Sequence, residues 1–472
     1  MKITAQFINS LRLSVGELVD WLVRQAEQIL CLIQEREGLR AELAQKNACL
    51  AQLEQKLEET ARRAFRQAAP FRLPDSRRQT SPRRPGRPKG HPGSFRPPPA
   101  RIDQRLKVPL GHCPDCRGPV QQVRDLKQYL EEIPPVQPIH IELITQEGYC
   151  PCCDREVRST HPMQVSLAQG AAAVQLGPNA LAIAVDLNKV KGLSMRKTCA
   201  TLQTLCGLKL SPGGLAQALA RVARKMKGSY EQLREQLRRA SVVHSDETSW
   251  WRGGPGYWLW VFTNAQTTVY VVDASRGRQV VHQVLGADFP GVLVSDCLSV
   301  YDDATAIQHK CYSHHLKAIQ EASQEHPQQG QGYLLEVRAL LHTAMYFKAL
   351  EADPASPRYQ QCVQRLEERA HQLLSQPRTQ PQEERVRQRL SKQRDHLFTF
   401  LKYPSVEATN NRAERQLRPA VIARKISCGN KTEKGASTWE ILTSLAATAA
   451  QAGQSFIEQV RAAVRLPPSG GP

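Results

Sequence analysis

Residues 242–246 are Val-Val-His-Ser-Asp, a short apolar run that ends in a carboxylate. Residues 291–296, Gly-Val-Leu-Val-Ser-Asp, repeat this design. Short runs of this kind predict buried strands, so Asp246 and Asp296 are expected at strand ends. A third acid, Glu414, lies where the pattern predicts the opening of a helix, in Asn410-Asn411-Arg412-Ala413-Glu414-Arg415.

The order of elements around these acids predicts the fold of the central region. Strands are expected at residues 257–262 and 267–272, joined by a hairpin turn at 263–266. Residues 326–404 are polar and rich in Gln, Glu and Arg, which predicts a helical insertion. Strand, hairpin, second acidic strand, helical insertion and acidic helix together are typical of an RNase H-like core with a mixed sheet.

Asp246, Asp296 and Glu414 are predicted to be catalytic and to hold two Mg²⁺ or Mn²⁺ ions. Two divalent ions ~3.5–4 Å apart need acidic oxygen ligands for phosphoryl transfer. As alternatives, each aspartate is a strand-ending turn residue, and Asn411 with Glu414 is a helix capping box. Basic residues around the glutamate favour a DNA channel instead: Arg412, Arg415, Arg418, Arg424 and Lys425.

The composition indicates several domains and a polyanionic partner. The chain has 472 residues and a formal net charge of +20, which favours DNA or RNA over the rival partner, an anionic membrane surface. We find no apolar run of 18 residues and no signal peptide, so we expect no membrane partner and a cytoplasmic, nucleoid-bound protein. The 13 cysteines do not imply disulfides in that compartment.

Residues 1–62 predict a coiled coil that joins copies of the chain into a homo-oligomer. Nine of twelve seam positions are apolar, and no proline interrupts them. The alternative is a helix that folds back on its own protein. The seam positions are Leu18, Leu22, Gln25, Ile29, Leu32, Arg36, Leu39, Leu43, Lys46, Leu50, Leu53 and Leu57.

Residues 63–101 predict a basic hinge rich in proline and glycine that contacts DNA. Gly86-Arg87-Pro88 resembles the core of an AT-hook, which fits a narrow A·T-rich minor groove. The alternative is a cationic linker that adds only sequence-independent affinity for phosphates. The candidate DNA-binding residues are Arg83, Arg84, Arg87 and Lys89.

Residues 102–165 predict a zinc-binding module of the zinc-ribbon type. Two knuckles with Cys-x-x-Cys spacing flank segments with strand character at residues 129–133 and 139–144. Four thiolates leave no open position, so the Zn²⁺ is expected to be structural. The candidate ligands are Cys113, Cys116, Cys150 and Cys153, with Cys152 as a spare thiol that can replace either neighbour.

Residues 166–240 predict helices. A helix over residues 193–205 is followed by Gly207, and Ser211 with Pro212 predicts the start of a second helix. This outline fits either a DNA-binding helix-turn-helix or ordinary packing against the core. The chain is thus expected to be multidomain α/β, with core parts at residues 241–325 and 405–455 and a C-terminal tail at 456–472.

Three motifs together resemble the transposases of the insertion sequence 66 family. They are Asp246-Glu247-Thr248, Asp296 with Tyr301 five residues later, and the segment from Asn410 to Pro419. Two further segments support the resemblance, which covers nearly the whole chain. They are Val421-Ile422-Ala423-Arg424-Lys425 and Cys311-Tyr312-Ser313-His314, which matches the family's Cys-Trp-Ala-His element with two replacements.

The resemblance implies that Asp246, Asp296 and Glu414 are the acids of a DDE active site. It also implies an enzyme that cuts the terminal inverted repeats of its element and joins them to target DNA, alongside small accessory proteins. Cys297 stands where the family usually has glycine. His314 is expected either to contact DNA or a catalytic acid, or to be a core histidine. The alternative functions are a catalytically degenerate zinc and coiled-coil DNA-binding regulator, and an RNase H-like nuclease not engaged in transposition.

Overall fold

A computed structural model of the chain describes residues 17, 24, 27–28, 31–32, 34–48, 90, 96–169, 173–302, 304–305, 307–325, 331–350 and 353–465. The chain divides into two units, Met1–Gln104 and Arg105–Pro472. In the first unit, residues 34–48 are helical, and the seam residues Leu32, Leu39 and Leu43 are exposed. Most other seam positions and residues 63–89 lie outside the described part, so oligomerisation and the AT-hook stay predictions.

The cysteine-rich region contains one short hairpin, formed by β1 (Glu147–Cys150) and β2 (Arg155–Arg158). The prediction of strands at residues 129–133 and 139–144 is wrong, because residues 120–146 contain no strand. Their apolar side chains are largely exposed, so no packed face stabilises extended pairing there. Strand propensity without a partner strand or a buried face is not sufficient to form a sheet.

Within residues 173–241, four α-helices precede the sheet: α1 (Pro178–Val185), α2 (Met195–Cys206), α3 (Pro212–Lys225) and α4 (Lys227–Arg238). The expected helix boundaries are present. Gly207 ends α2 with a φ of 65°, and the Ser211 side chain accepts from the Gly214 N–H at the start of α3. Helix α3 buries six side chains, and five of them, including Leu215 and Leu219, belong to the apolar core that α1–α4 share, here called the main core. That burial favours core packing over a DNA-reading role for α3.

The central sheet has five strands in the order β5-β4-β3-β6-β7. Strands β3, β4 and β5 are antiparallel neighbours, whereas β6 and β7 run parallel to β3. The hairpin and the second acidic strand match their sequence predictions closely. The strands are β3 (Val242–Trp250), β4 (Tyr257–Thr263), β5 (Thr268–Asp273), β6 (Val292–Ser295) and β7 (Ile307–Lys310).

Helices cover both faces of the sheet, so its strands are buried on both sides. Val243 and Leu293 face a core that contains α1–α4 and α5 (Arg278–Leu285). Val242 and Val292 face the opposite core, which the helices after β7 complete. These are α6 (Tyr312–Glu325), α7 (Gln331–Ala349), α8 (Pro357–Ser375), α9 (Pro381–Lys392) and α10 (Thr399–Lys402).

The last three helices are α11 (Asn411–Ser427), α12 (Glu433–Gln451) and α13 (Phe456–Val464). The prediction of a C-terminal tail at residues 456–472 is wrong for residues 456–464, which form α13. This helix buries Phe456, Val460 and Val464 in the main core. Its apolar residues recur with helical spacing, and burying them outweighs the short polar turn before it. Within the described residues, every helix is too short or too polar to cross a membrane.

Candidate metal centre

Three neighbouring strands bring Asp246, Asp296 and Cys311 into one row. Strands β3 and β6 pair Val242 with Val292, and the same offset places Asp296 level with Asp246. Strands β6 and β7 continue this ladder, because the Cys311 N–H donates to the carbonyl of Ser295 at 2.8 Å. Side chains at one level of adjacent parallel strands point to the same face. The side chains of Asp246, Asp296 and Cys311 therefore lie next to one another on one face of the sheet.

The two aspartates differ in local structure. Asp246 lies inside the nine-residue strand β3, so it does not end a strand in a turn. Asp296 directly follows β6, and its Oδ1 accepts from the Leu298 N–H at 3.0 Å, which is a turn bond. A carboxylate has more acceptor sites than one turn bond uses, so Asp296 can still bind a ligand.

Glu414 comes from the first turns of α11, which lies over the same face of the sheet. The helix begins at Asn411, and its N-cap residue is Asn410, whose side chain makes no capping bond. A capping box joins the N-cap to the third helical residue, which is Ala413 here. Glu414 is one position further along the helix, so the capping alternative does not fit the structure.

Asn410 attaches the start of α11 to the central strand and to Cys311. The residue is fully buried, and its Nδ2 donates to the carbonyl of Ser245 at 2.8 Å. Its Oδ1 lies 3.2 Å from Nδ1 of His244, and its N–H donates to Sγ of Cys311 at 3.1 Å. Because Ser245 directly precedes Asp246, this network fixes the helix that carries Glu414 relative to the first aspartate.

Further contacts hold α11 across the antiparallel part of the sheet. The Tyr270 hydroxyl donates to the carbonyl of Gln416 at 2.7 Å. Arg424 donates to the Thr248 hydroxyl at 3.1 Å and to Ser249. Beyond the helix, Asn430 accepts from the Trp250 indole N–H at 2.9 Å. The helix is thus anchored at both ends and along its length, which restricts the position of Glu414.

The electrostatics of the site show a cluster of acids. Burial, together with the negative charges of Glu247, Asp296 and Glu414, raises the pKa of Asp246 to about 8. Packing like charges together is unfavourable unless a cation offsets them. Their oxygen donors are the ligands that Mg²⁺ and Mn²⁺ prefer, so the residues present fit divalent ions.

Glu247 follows Asp246 directly but points to the opposite face of the sheet. Its carboxylate accepts from the Tyr301 hydroxyl at 2.6 Å and pairs with Arg276 at 2.9 Å. The side chain is only 2% exposed, and burial raises its pKa. These hydrogen bonds fix the Glu247 side chain against Tyr301 and Arg276. Sequence reasoning did not predict this, although Glu247 and Tyr301 both belong to the motifs described above.

A second group of ligand-type side chains shares Glu414. Ligand atoms of Cys311, His314 and Glu414 lie within 4.8 Å of one another, which is the only such three-residue group among the described residues. Nδ1 of His314 is buried without a hydrogen-bond partner. The neighbouring Cys311 sulfur raises the pKa of His314, and the charges of Asp296 and Glu414 raise it further against the effect of burial. A ring nitrogen of His314 thus lies within 4.8 Å of a Glu414 carboxylate oxygen, which favours the expected contact with a predicted catalytic acid over a core histidine.

Cys297 occupies the loop after Asp296 without backbone strain. Its φ is not among the positive values found in the described part of the chain, so glycine is not required there. Its sulfur lies 3.5 Å from Nε2 of His315, on the side of α6, and burial raises the thiol pKa. Cysteine in place of the family's usual glycine therefore changes only the side chain beside Asp296. The backbone conformation at this position is one that any residue can adopt.

The five basic residues predicted around Glu414 fall into two groups. Arg412 donates to Glu407, with Nε at 3.1 Å, and Arg424 is bound to β3 as described above. The remaining three are exposed and form no ion pair with any described residue: Arg415, Arg418 and Lys425. Free cationic groups on one helix remain available to phosphates, whereas Arg412 and Arg424 already have partners within the protein.

The four predicted zinc ligands stay in two separate local pairs. The pKa of Cys113 is lowered by hydrogen bonds from Cys116 and Asp115, and that of Cys150 by bonds from Cys153 and Cys152. No three of these cysteines lie within 4.8 Å of one another, although the structure describes all of them. The zinc module stays a prediction. The hinge residues Arg83, Arg84, Arg87 and Lys89 lie outside the described residues.

A comparison with known families identifies the central part of the chain. A family model described as Transposase IS66 family matches residues 173–438, which is more than half of the chain. The match includes Asp246, Asp296 and Glu414 and lies beyond the four predicted zinc ligands. No curated protein matches the chain.

Proposed function

Because the chain belongs to the IS66 family of transposases, we propose that it is a DDE transposase. Its substrates are the terminal inverted repeats of its own insertion element, which it cuts and joins to target DNA.

One observation carries the acid assignment. Asp246 and Asp296 lie level on adjacent parallel strands, and Asn410 bonds the Glu414 helix to the strand of Asp246. The strand order and the helical insertion between the second aspartate and the glutamate agree with the RNase H-like core that the sequence predicts. Besides burial and the charge of Glu247, the charges of Asp296 and Glu414 raise the pKa of Asp246, which supports one shared site for the three carboxylates.

The roles of the residues follow from this arrangement. Asp246, Asp296 and Glu414 supply the carboxylate oxygens that hold Mg²⁺ or Mn²⁺. When bound, two such ions activate the attacking oxygen and stabilise the leaving oxygen of phosphoryl transfer. Asn410 positions Glu414, and the bonds from Tyr301 and Arg276 keep Glu247 away from the metal ligands. Arg415, Arg418 and Lys425 bind the DNA backbone beside the acids.

We predict that Arg415→Ala with Arg418→Ala weakens DNA binding and makes it less dependent on salt. Each phosphate contact contributes ~0.9 to the slope of log affinity against log salt, so losing two contacts should reduce that slope by about 1.8. Fluorescence anisotropy with labelled inverted-repeat duplex at several salt concentrations measures the slope. Arg338→Ala is the matched control, since Arg338 is exposed on α7 of the insertion. An unchanged slope in the double variant contradicts this role for α11.

The cleavage assay tests the proposed function directly. Labelled duplexes that carry the inverted repeats flanking the gene are incubated with the full chain and Mg²⁺ or Mn²⁺, and a parallel reaction contains EDTA. We expect a nick at the repeat boundary that requires the metal and does not occur in a scrambled duplex. Adding the small proteins encoded beside the gene tests whether the chain needs partners.

The same assay separates the alternative functions. Retarded DNA that stays uncut, even with the neighbouring proteins, indicates a DNA-binding regulator with a degenerate core. Metal-dependent cutting of repeat and scrambled duplexes alike indicates a nuclease that is not engaged in transposition. Either result contradicts the proposal.

A further inference from the structure

We propose that Cys311, His314 and Glu414 form a Zn²⁺ site that competes with the catalytic ions for Glu414. The binding part of this inference stands on the geometry of the three side chains. The inhibitory part rests on the proposed function, in which Glu414 is a ligand of the catalytic metal.

The three donors suit zinc and do not suit magnesium. Zn²⁺ is bound by thiolate, imidazole and carboxylate groups, and three protein ligands leave a fourth position for water. Mg²⁺ selects oxygen ligands, whereas soft sulfur favours zinc. Ligand atoms of Cys311, His314 and Glu414 are within 4.8 Å of one another, so a small adjustment of side chains brings them around one ion.

The surroundings of the cysteine support a ligand role. The Asn410 N–H donates to Sγ of Cys311 at 3.1 Å, and such a bond to sulfur orients and stabilises a thiolate ligand. The Cys311 backbone is fixed because its N–H continues the β6–β7 ladder. The sulfur is therefore held in place from two directions, at the start of α6.

The histidine completes the site with an unused nitrogen. His314 lies three residues after Cys311, in the first turn of α6, and its N–H donates to the Cys311 carbonyl at 3.2 Å. Its Nδ1 is buried and has no hydrogen-bond partner among the described residues. A buried polar atom without a partner is costly, and binding a metal ion removes that cost. His314 and Glu414 are only half-buried, which leaves the ion a path to the site.

The position of Glu414 determines how zinc bound at this site affects DNA cleavage. The charge of Glu414 acts on Asp246 in the acidic cluster, and the same carboxylate lies within 4.8 Å of the ligand atoms of Cys311 and His314. When Glu414 binds zinc beside sulfur and nitrogen, it is withdrawn from the row formed by Asp246 and Asp296. Zinc should therefore lower magnesium-dependent cleavage without displacing DNA.

Metal stoichiometry of the full chain tests the site without reference to activity. Wild type, Cys311→Ser, His314→Gln and the control Cys297→Ser are loaded with Co²⁺ as a spectroscopic substitute for Zn²⁺, desalted and analysed for metal. We expect wild type and Cys297→Ser to hold one equivalent more than the two triad variants. The predicted four-cysteine site contributes equally to all four proteins, so the difference reports the triad alone.

Two variants guard against a folding artefact. His314→Gln leaves the buried Cys311–Asn410 contact intact, so its thermal unfolding should match that of wild type. A loss of metal in both triad variants, with unchanged unfolding of at least His314→Gln, supports the site. Equal metal content in all four proteins overturns it. Thiolate-to-cobalt absorption that is stronger in wild type than in Cys311→Ser identifies the sulfur as a ligand, and equal absorption in these two proteins also overturns the assignment.

Cleavage in Mg²⁺ with added Zn²⁺ tests the competition. Each protein is compared with its own rate in Mg²⁺ alone, and inhibition by zinc should be lost in Cys311→Ser. Zinc that binds at the triad but leaves wild-type cleavage unchanged overturns the sharing of Glu414. If no protein cleaves DNA under any condition, the proposed function fails, and the cobalt stoichiometry still decides the site.

Discussion

Asp246→Asn should lower metal-dependent strand cleavage by ~10³-fold or more while DNA affinity changes little. Metal ions stabilise the transition state of phosphoryl transfer by several kcal/mol, and about 4 kcal/mol corresponds to ~10³ in rate. Asparagine keeps the shape of aspartate but not its charge, so one of the proposed metal ligands is lost. Single-turnover cleavage of labelled inverted repeats measures the rate, and anisotropy measures the affinity.

The same variant should fold at least as well as wild type when metal is removed. Burial and the neighbouring acids raise the pKa of Asp246 to about 8 in the folded protein. A raised carboxyl pKa means that folding favours the protonated form, so this stability is present at low pH and is lost as pH rises through about 8. Asparagine is neutral at every pH and avoids that loss.

Urea unfolding in EDTA at pH 5 and pH 9 checks this. The loss of wild-type stability begins above the unfolded pKa of about 3.9, so we expect the stability advantage of the variant to increase from pH 5 to pH 9. Asp296→Asn and Glu414→Gln should likewise lose cleavage and keep DNA binding. Binding that disappears together with cleavage would show that these acids hold the fold instead of the metal.

Asn410→Ala should cost the protein about 2–5 kcal/mol of stability and lower cleavage by at least ~10-fold. The substitution leaves the Ser245 carbonyl and the His244 ring without their hydrogen bonds inside the core. Each buried group without a partner costs roughly 1–3 kcal/mol. The start of α11 also loses its attachment to β3, so Glu414 is held less firmly beside Asp246.

The adjacent residue offers a matched control. Asn411 is exposed at the start of the same helix, and Asn411→Ala should change stability by about 0.5 kcal/mol or less. A positioning role for Asn410 also predicts that the variant needs more Mg²⁺ to reach half of its maximal cleavage rate. A destabilised protein with an unchanged Mg²⁺ requirement would limit Asn410 to a structural role.

The apolar pattern predicted the strands of the centre well and the cysteine-rich region poorly. Strands β4, β5 and β6 and the start of β3 are mainly apolar, so burial and propensity agree in predicting them, whereas the polar second half of β3, up to Trp250, was not predicted. The segments at residues 129–133 and 139–144 have the same propensity, yet they find no partner and remain exposed. Local preference is therefore sufficient only where tertiary contacts bury the strand.

Strand β7 shows the opposite failure. Its residues Gln308, His309 and Lys310 are polar, so the pattern gives no sign of a buried strand, although all three are almost fully buried. Two of the three have partners from distant segments: Lys310 donates to the Ser295 hydroxyl at 3.2 Å, and His309 contacts backbone carbonyls of residues 396 and 408. Burial of polar groups is tolerated when hydrogen bonds replace water, and a sequence pattern cannot show those partners.

By itself the sequence determined the three acids, their order along the chain and the helical insertion that separates them, because apolar runs and residue types are local properties. Only the tertiary structure decided the rest of the site. Parallel strand pairing placed Asp246, Asp296 and Cys311 at the same level of the sheet. The hydrogen bonds of Asn410 attached the helix that contains Glu414 to the strand of Asp246. Register and long-range hydrogen bonds depend on which segments pack together, so the group of Cys311, His314 and Glu414 exists only in the folded chain.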